Sequence, residues 1–157
     1  MKATILPEAV RLIKDSEGLR LRAYRDAGGV LTIGYGHTGP DVKEGQIISM
    51  AQAEDLLFQD IRRNAEGTWQ LVKKATDTQF SALVCFAFNV GLDIDDDTKA
   101  EGLGDSTLLR LHNAGRYAEA AAEFGKWVHD NGRKLPGLVK RRAREAALYT
   151  TPGKSLK

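Results

Sequence analysis

Three side chains in the first part of the chain have the types that acid–base work on a glycosidic bond needs. Glu17 is followed nine residues later by Asp26, and Asp26 six residues later by Thr32. Two carboxyl groups flanking such a bond can break it, one protonating the leaving oxygen and the other handling water or the anomeric carbon. A hydroxyl beside the second carboxylate is suited to holding that water. Between Glu17 and Thr32 the pattern changes from a helical apolar period to an extended one punctuated by glycine. A helix ending on one carboxylate and running into a hairpin that carries the other can face the two across a groove.

The elements that must position these groups can be read from their flanks. Pro7 suits a first helical turn, where its missing N–H costs nothing. Ala9, Val10, Leu12 and Ile13 then put an apolar stripe on a helix over residues 7 to 17, with Gly18 as the residue that ends it. Glu17 falls in the last turn, where the negative end of the helix opposes an anion. That placement favours the protonated form, as a general acid requires. From residue 19 to 39 the pattern predicts a small antiparallel sheet, with a turn at Gly28-Gly29 and strand propensity in Val30 to Ile33. Register decides the chemistry. A two-residue loop with Ala27 opposite Val30 puts Asp26 and Thr32 on opposite faces, whereas a three-residue loop, Gly28 to Val30, sets them directly opposite on one face. The chemistry requires the second. Gly34 and Gly36 permit close backbone approach, which suits a floor beneath a sugar ring or simply a tight turn. His37 is expected to be structural, because His112 and His129 carry no metal-ligand spacing around them.

The run Glu17-Gly18-Leu19-Arg20-Leu21, Tyr24-Arg25-Asp26 and Thr32-Ile33-Gly34-Tyr35-Gly36-His37 resembles the active-site segment of phage-type lysozymes, the endolysins of glycoside hydrolase family 24. The likeness resumes in Phe80 to Val84, Phe88 to Gly91, Ser106 to Leu109, Lys126 to Val128 and Leu135 to Leu138, and so covers most of the chain. The resemblance implies an α+β, mainly α-helical, lysozyme-like fold of two lobes in a single domain, residues 1–157. A small antiparallel hairpin sheet lies in a lobe of about residues 14–60, and a helical lobe of about 61–157 takes back the N-terminal helix. It implies hydrolysis of the β-1,4 bond between N-acetylmuramic acid and N-acetylglucosamine in bacterial peptidoglycan, during host-cell lysis. Glu17 would be the general acid, Asp26 the base or electrostatic partner, and Thr32 the holder of the attacking water. Inversion is the expected outcome, since a hydroxyl makes more sense beside a water than beside a nucleophile. Tyr35, His37, Thr38, Phe88 and Asn89 are the implied substrate contacts, with no metal and no cofactor.

Further along, Ser49 and Gln52 form a capping box opening a helix of about 50 to 65, with Leu56, Leu57 and Ile61 inward. By the resemblance this helix bridges the lobes. Asp60, on it, offers His37 a partner, although a solvated carboxylate is the plainer expectation. Trp69, Leu71 and Val72 follow in a short helix or turn. A second capping box, Thr76 to Gln79, opens Phe80 to Val90, apolar on nearly all sides and therefore central to the larger lobe. Residues 91 to 105 depart from the family pattern with a longer acidic stretch. Asp93, Asp95 and Asp97 alternate like the start of a calcium loop, but Thr98 and Gly104 stand where that loop needs Gly and Glu, so a solvated loop is expected. Helices are expected over about 107–113, 117–124 and 136–150, with a turn at Asp130-Asn131-Gly132. On the last helix Leu138, Val139, Ala143, Ala146 and Leu148 should face inward. Lys140, Arg141, Arg142 and Arg144 should form a solvated basic band able to attract anionic envelope polymers, unless Arg141 or Arg142 reaches Glu17.

The 157 residues fit one domain with a real core, and a formal charge of +2 implies no partner by itself. The distribution is lopsided, with eight Lys or Arg against one Glu from Arg133 onward and six Asp or Glu against one Lys from Asn89 to Asp105. Cys85 is alone in an apolar run and reads as a buried small hydrophobe. No apolar stretch marks a secretory signal or a membrane span. A monomer made in the host-cell cytoplasm is therefore expected, reaching the wall only once another factor opens the membrane. A lytic transglycosylase would need no second carboxylate, and a non-catalytic glycan-binding module would not need Glu17 and Asp26 together. Nucleic acid is not expected, as the basic helix lacks aromatic interleaving.

Overall fold

In the computed structural model, which describes residues 4–157, Pro7 opens the first helix, α1 (Pro7–Glu17), at the first helical position. Ala9, Leu12 and Ile13 form its buried stripe, and Gly18 ends it at φ 71°, donating its N–H to the Lys14 carbonyl. A three-stranded antiparallel sheet follows in sequential order: β1 (Arg20–Arg25), β2 (Leu31–Gly34) and β3 (His37–Thr38).

The hairpin between β1 and β2 is a three-residue loop, but one residue earlier than expected. Tyr24 pairs with Thr32 and Arg25 with Leu31, while the Asp26 N–H donates to the Val30 carbonyl at 3.0 Å. The loop is thus Ala27-Gly28-Gly29. Its third position is left-handed, which Gly29 takes at φ 82° and a β-branched Val30 would resist. Asp26 secures the turn, its Oδ1 accepting from the Gly28 and Val30 amides, both at 2.9 Å. Thr32 is therefore opposite Tyr24, not Asp26. Strand alternation still leaves positions 24, 26, 30 and 32 on one side, so Asp26 and Thr32 are diagonal neighbours.

Two apolar cores share two long helices. The first gathers Leu12 and Ile13 of α1, Ile33 of β2, Tyr35, and Leu57 and Ile61 of α2 (Met50–Leu71), with Cys85 from α3 (Asp77–Val90). The second gathers Phe80, Leu83 and Phe86 of α3 with Leu103, Leu108, Phe124 and Tyr149. Phe86 meets Phe124 and Trp127 edge-on, with centroids 5.6 and 5.2 Å away. Each such pair is worth about 0.5–1.5 kcal/mol beyond its buried area. Both capping boxes are formed, Ser49 with Gln52 and Thr76 with Gln79. α2 does not stop near residue 65 but runs 22 residues to Leu71, a span of about 33 Å. Gly67 is retained inside it because Leu92 packs there; a Cβ would lie 2.5 Å from a Leu92 methyl.

Past α3, residues 91–105 fold back on themselves. Leu103 is fully buried, and its N–H and that of Gly104 donate to the Gly91 and Leu92 carbonyls. Asp93 sits at φ 54°, its Oδ2 accepting from the Glu101 and Gly102 amides. α4 (Thr107–Asn113), capped by Ser106, and α5 (Tyr117–Glu123) follow, then a 3₁₀ turn over Phe124–Lys126. The anticipated turn at Asn131-Gly132 proves to be a hairpin, β4 (His129–Asp130) with β5 (Arg133–Lys134), whose turn residues have φ 49° and 75°. Two left-handed residues make the type I′ connection that suits a two-residue loop. The final helix, α6 (Pro136–Thr150), packs against α1, α3 and α5.

α6 corrects the expected basic band. Its buried residues are Arg141, Arg142, Glu145 and Tyr149, whereas Val139 and Ala143 are exposed. The helix presents a charged stripe to the interior because each buried guanidinium finds several acceptors there, which apolar side chains could not satisfy. Of the four cations assigned to an envelope-binding surface, only Lys140 and Arg144 remain on the outside, and Arg144 pairs with Asp15 at 3.2 Å. No described helix is long and apolar enough to cross a membrane.

Candidate active site

Glu17, the last residue of α1, projects from the helix end with its side chain about one-fifth exposed. Two neighbours fix it. Arg141 donates from Nη1 to Glu17 Oε1 at 2.8 Å, so the sequence-level possibility of an arginine reaching this carboxylate is realised by the first of the two candidates. On the other side Gly36, at φ 73°, lies so close that a Cβ there would be 2.5 Å from Glu17 Oε2. Gly36 thus meets both demands a glycine can answer, a left-handed backbone and a close approach.

Arg141 is itself held on every side. Its Nη2 donates to the Cys85 carbonyl at 3.0 Å and its Nε to Glu145 Oε2 at 3.1 Å. The other Glu145 oxygen accepts from Arg142 Nη1 at 2.6 Å, and Arg142 also donates to the Trp127 carbonyl and to Asn89 Oδ1. Burial pushes the Glu145 carboxyl above its ordinary range, against the pull of Arg142 and Arg141. Burial likewise lowers Arg142, with Glu145 opposing. The geometry favours the ionised triad at neutral pH, since a neutral Glu145 would leave two buried cations facing one another. Glu145 is not picked out by the sequence as part of a site, and Arg142 only as an alternative partner for Glu17. The signal available was their spacing, three and four residues apart on one helix face with Arg141.

A groove of about 720 Å³ opens beside these residues, lined by Ser16, Glu17, Asn89, Pro136, Lys140 and Arg141 among others. Glu17 and Asn89 are the two expected site residues that it brings together. Asp26 and Thr32 are on the hairpin and outside the lining of this groove. Asp26 is exposed, with Oδ1 committed to the loop amides. Thr32 is buried, its hydroxyl donating to the Val30 carbonyl at 2.9 Å. Thr38 is exposed at the end of β3, and Phe88 is half-buried against the first core.

Tyr35 and His37 are both buried, with their polar atoms turned to partners within the protein. Tyr35 is buried, its hydroxyl pointing to Glu54 at 3.5 Å, with the Lys14 ammonium over its ring. His37 is buried, with Nδ1 2.7 Å from Asp60 Oδ2 and Nε2 2.9 Å from Asp41 Oδ2. Both ring nitrogens are thereby occupied, which fits the structural role expected of His37. Of the two readings of Asp60, the partner of His37 is the one realised: Asp60 is buried and paired with His37 and Arg63, where a solvated carboxylate was the plainer expectation. Burial lowers the His37 pKa, but the two carboxylates outweigh it and leave it above the ordinary value. The clamp ties β3 to α2, and so fixes the backbone that includes Gly36.

Two cores joined by a long helix, with a carboxylic acid at a helix end beside a groove and a glycine-rich hairpin against it, define a lysozyme-like protein. The chain belongs to the phage lysozyme family, whose model matches residues 14–145. It is 45% identical over 145 residues to the endolysin of Bacillus phage B103, covering 90% of this chain and 52% of that protein. It is 41% identical over 143 residues to the endolysin of Acyrthosiphon pisum secondary endosymbiont phage 1, covering 88% and 92%. Among solved structures, the muramidase domain of SpmX from Asticaccaulis excentricus superposes with a TM-score of 0.82 at 38% identity, covering 95% and 99% of the two chains. The chain spans about half the length of the Bacillus phage relatives.

Proposed function

We propose that the chain hydrolyses the β-1,4 bond between N-acetylmuramic acid and N-acetylglucosamine in bacterial peptidoglycan. The observation that carries this reading is Glu17 itself. It is a carboxyl group that Arg141 binds and Gly36 closely approaches, at the edge of a groove roomy enough for a glycan. In the proposed reaction Glu17 gives its proton to the leaving oxygen as the bond to the anomeric carbon breaks. A water adds to that carbon from the opposite face and passes its proton to Asp26, whose Oδ2 is not used by the loop amides. Asp26 then releases that proton to solvent and Glu17 takes one up, restoring both groups. The Thr32 hydroxyl, one diagonal step from Asp26, orients the water through a lone pair while its hydrogen stays on the Val30 carbonyl.

A water between the carboxylate and the sugar gives inversion, whereas direct attack by Asp26 would give retention through a covalent intermediate. The reading also places synthesis in the host cytoplasm, with access to the wall dependent on another factor. Digesting purified peptidoglycan and following the new ends by NMR tests it. Reducing N-acetylmuramic acid that appears first as the α-anomer supports inverting hydrolysis. A first-formed β-anomer would replace the water step by a covalent one, and 1,6-anhydro ends would replace hydrolysis by transglycosylation.

A further inference from the structure

We propose that Glu145 is the positioning residue of this site, holding the acid Glu17 and the groove residue Asn89 in register through one arginine each. The proposal rests on the functional reading above. Glu145 is fully buried and divides its carboxylate between two guanidiniums, Oε2 accepting from Arg141 and Oε1 from Arg142. The outer ends of those arginines land on Glu17 and Asn89, side chains of α1 and α3 that line the same groove. One carboxylate on a third helix therefore yokes two groove residues from two other elements.

Stability alone does not account for this arrangement. Well-packed apolar side chains commonly serve as well as a buried ion triad, or better. These positions already border such packing, since the Arg142 guanidinium lies 5.1 Å from the Phe86 ring centroid. What apolar residues could not do is reach a carboxylate and an amide at the surface. Charge supplies the second part of the role. Glu145 offsets one of two adjacent cations, so Glu17 faces one net positive charge instead of two. The other charged groups lining the groove with it are the Asp15–Arg144 pair, itself neutral overall, and Lys140, which neither substitution below alters.

The test is the pH profile of peptidoglycan hydrolysis in Glu145→Gln and Arg142→Met. Glu145→Gln keeps the shape but leaves both cations uncompensated. The alkaline limb, where the acid loses its proton, should move down by about one pH unit. Arg142→Met removes one cation and the hold on Asn89, and the limb should move up. Shifts of opposite sign are the expected result. A purely structural role lowers thermal stability in both variants and leaves the limb at its wild-type position; that result, or two shifts of the same sign, overturns the proposal. If Glu145→Gln does not fold, the direction of the Arg142→Met shift decides alone. The two ideas fail separately. An active Glu17→Gln would remove the functional reading, whereas an inactive Glu17→Gln with unmoved limbs in the other two variants would remove only the role of Glu145.

Discussion

Replacing Asp60 by Asn takes the buried carboxylate away from the His37 clamp and leaves the exposed one, Asp41, in place. The side chains of His37 and Asp60 are 8% and 10% exposed, against 59% for Asp41. Breaking a buried pair by removing one partner costs about 3–5 kcal/mol, whereas an exposed pair is worth about 0–1 kcal/mol. Because Asp41 still supports the ring, the lower figure, about 3 kcal/mol, is expected for Asp60→Asn, and less than about 1 kcal/mol for Asp41→Asn. For a chain of this length that is a fall in Tm of about 6–12 °C against about 3 °C or less. The pH dependence has a definite sign. His37 has its pKa raised in the folded protein, so the clamp contributes fully below its unfolded value of 6.5 and fades as pH rises through the folded value. The stability gap between wild type and Asp60→Asn should therefore be widest near about pH 6 and narrow by about pH 9. Thermal unfolding followed by circular dichroism at both pH values reads this directly. Equal costs for the two substitutions, or a gap that widens with pH, would refute the reasoning.

Other positions give sharper tests of the site. Gly36→Ala forces a Cβ at φ 73° to within 2.5 Å of Glu17 Oε2, so kcat should fall by about 100-fold through displacement of the carboxylate, measured against dye-labelled walls. Asp26→Asn keeps an oxygen for the Gly28 and Val30 amides; Tm should stay within about 3 °C while activity falls by at least about 100-fold, separating its turn-making role from its chemistry. The Cys85 thiol is buried and pushed well above its ordinary range, so it should resist a thiol reagent in the native protein and react once the chain is unfolded. Immediate labelling of native protein would contradict the described core.

The elements that could be read from the sequence are those whose ends are set by local chemistry. Pro7 and Gly18 bound α1, the boxes at Ser49 and Thr76 open α2 and α3, and Pro136 opens α6, all within the chain's own near neighbours. What escaped depends on contacts distant in sequence. The full length of α2 is one example, since at Gly67 Leu92, from beyond α3, takes the space a side chain would need. The charges of α6 look solvated until Glu17, 124 residues away from Arg141, and Asn89, 53 from Arg142, supply partners. Asp60 can be offered to His37, 23 residues back, from the sequence, but its burial in that pair depends on the fold. The hairpin register was missed by one residue for a local reason that was available: only a glycine is comfortable at the third loop position, and Val30 is not one. The sequence singles out Glu17, Asp26 and Thr32 as candidates, while the buried frame behind Glu17 required the fold.

The central claim is that Glu17 delivers the proton that breaks the glycosidic bond. It is tested most directly by counting reducing ends released from purified peptidoglycan by wild type and Glu17→Gln at matched concentration and confirmed folding. Arg141 retains Glu145 and the Cys85 carbonyl in the variant, so the fold should persist. The account predicts a loss of at least about 100-fold in the rate of release. Release at the wild-type rate would contradict it.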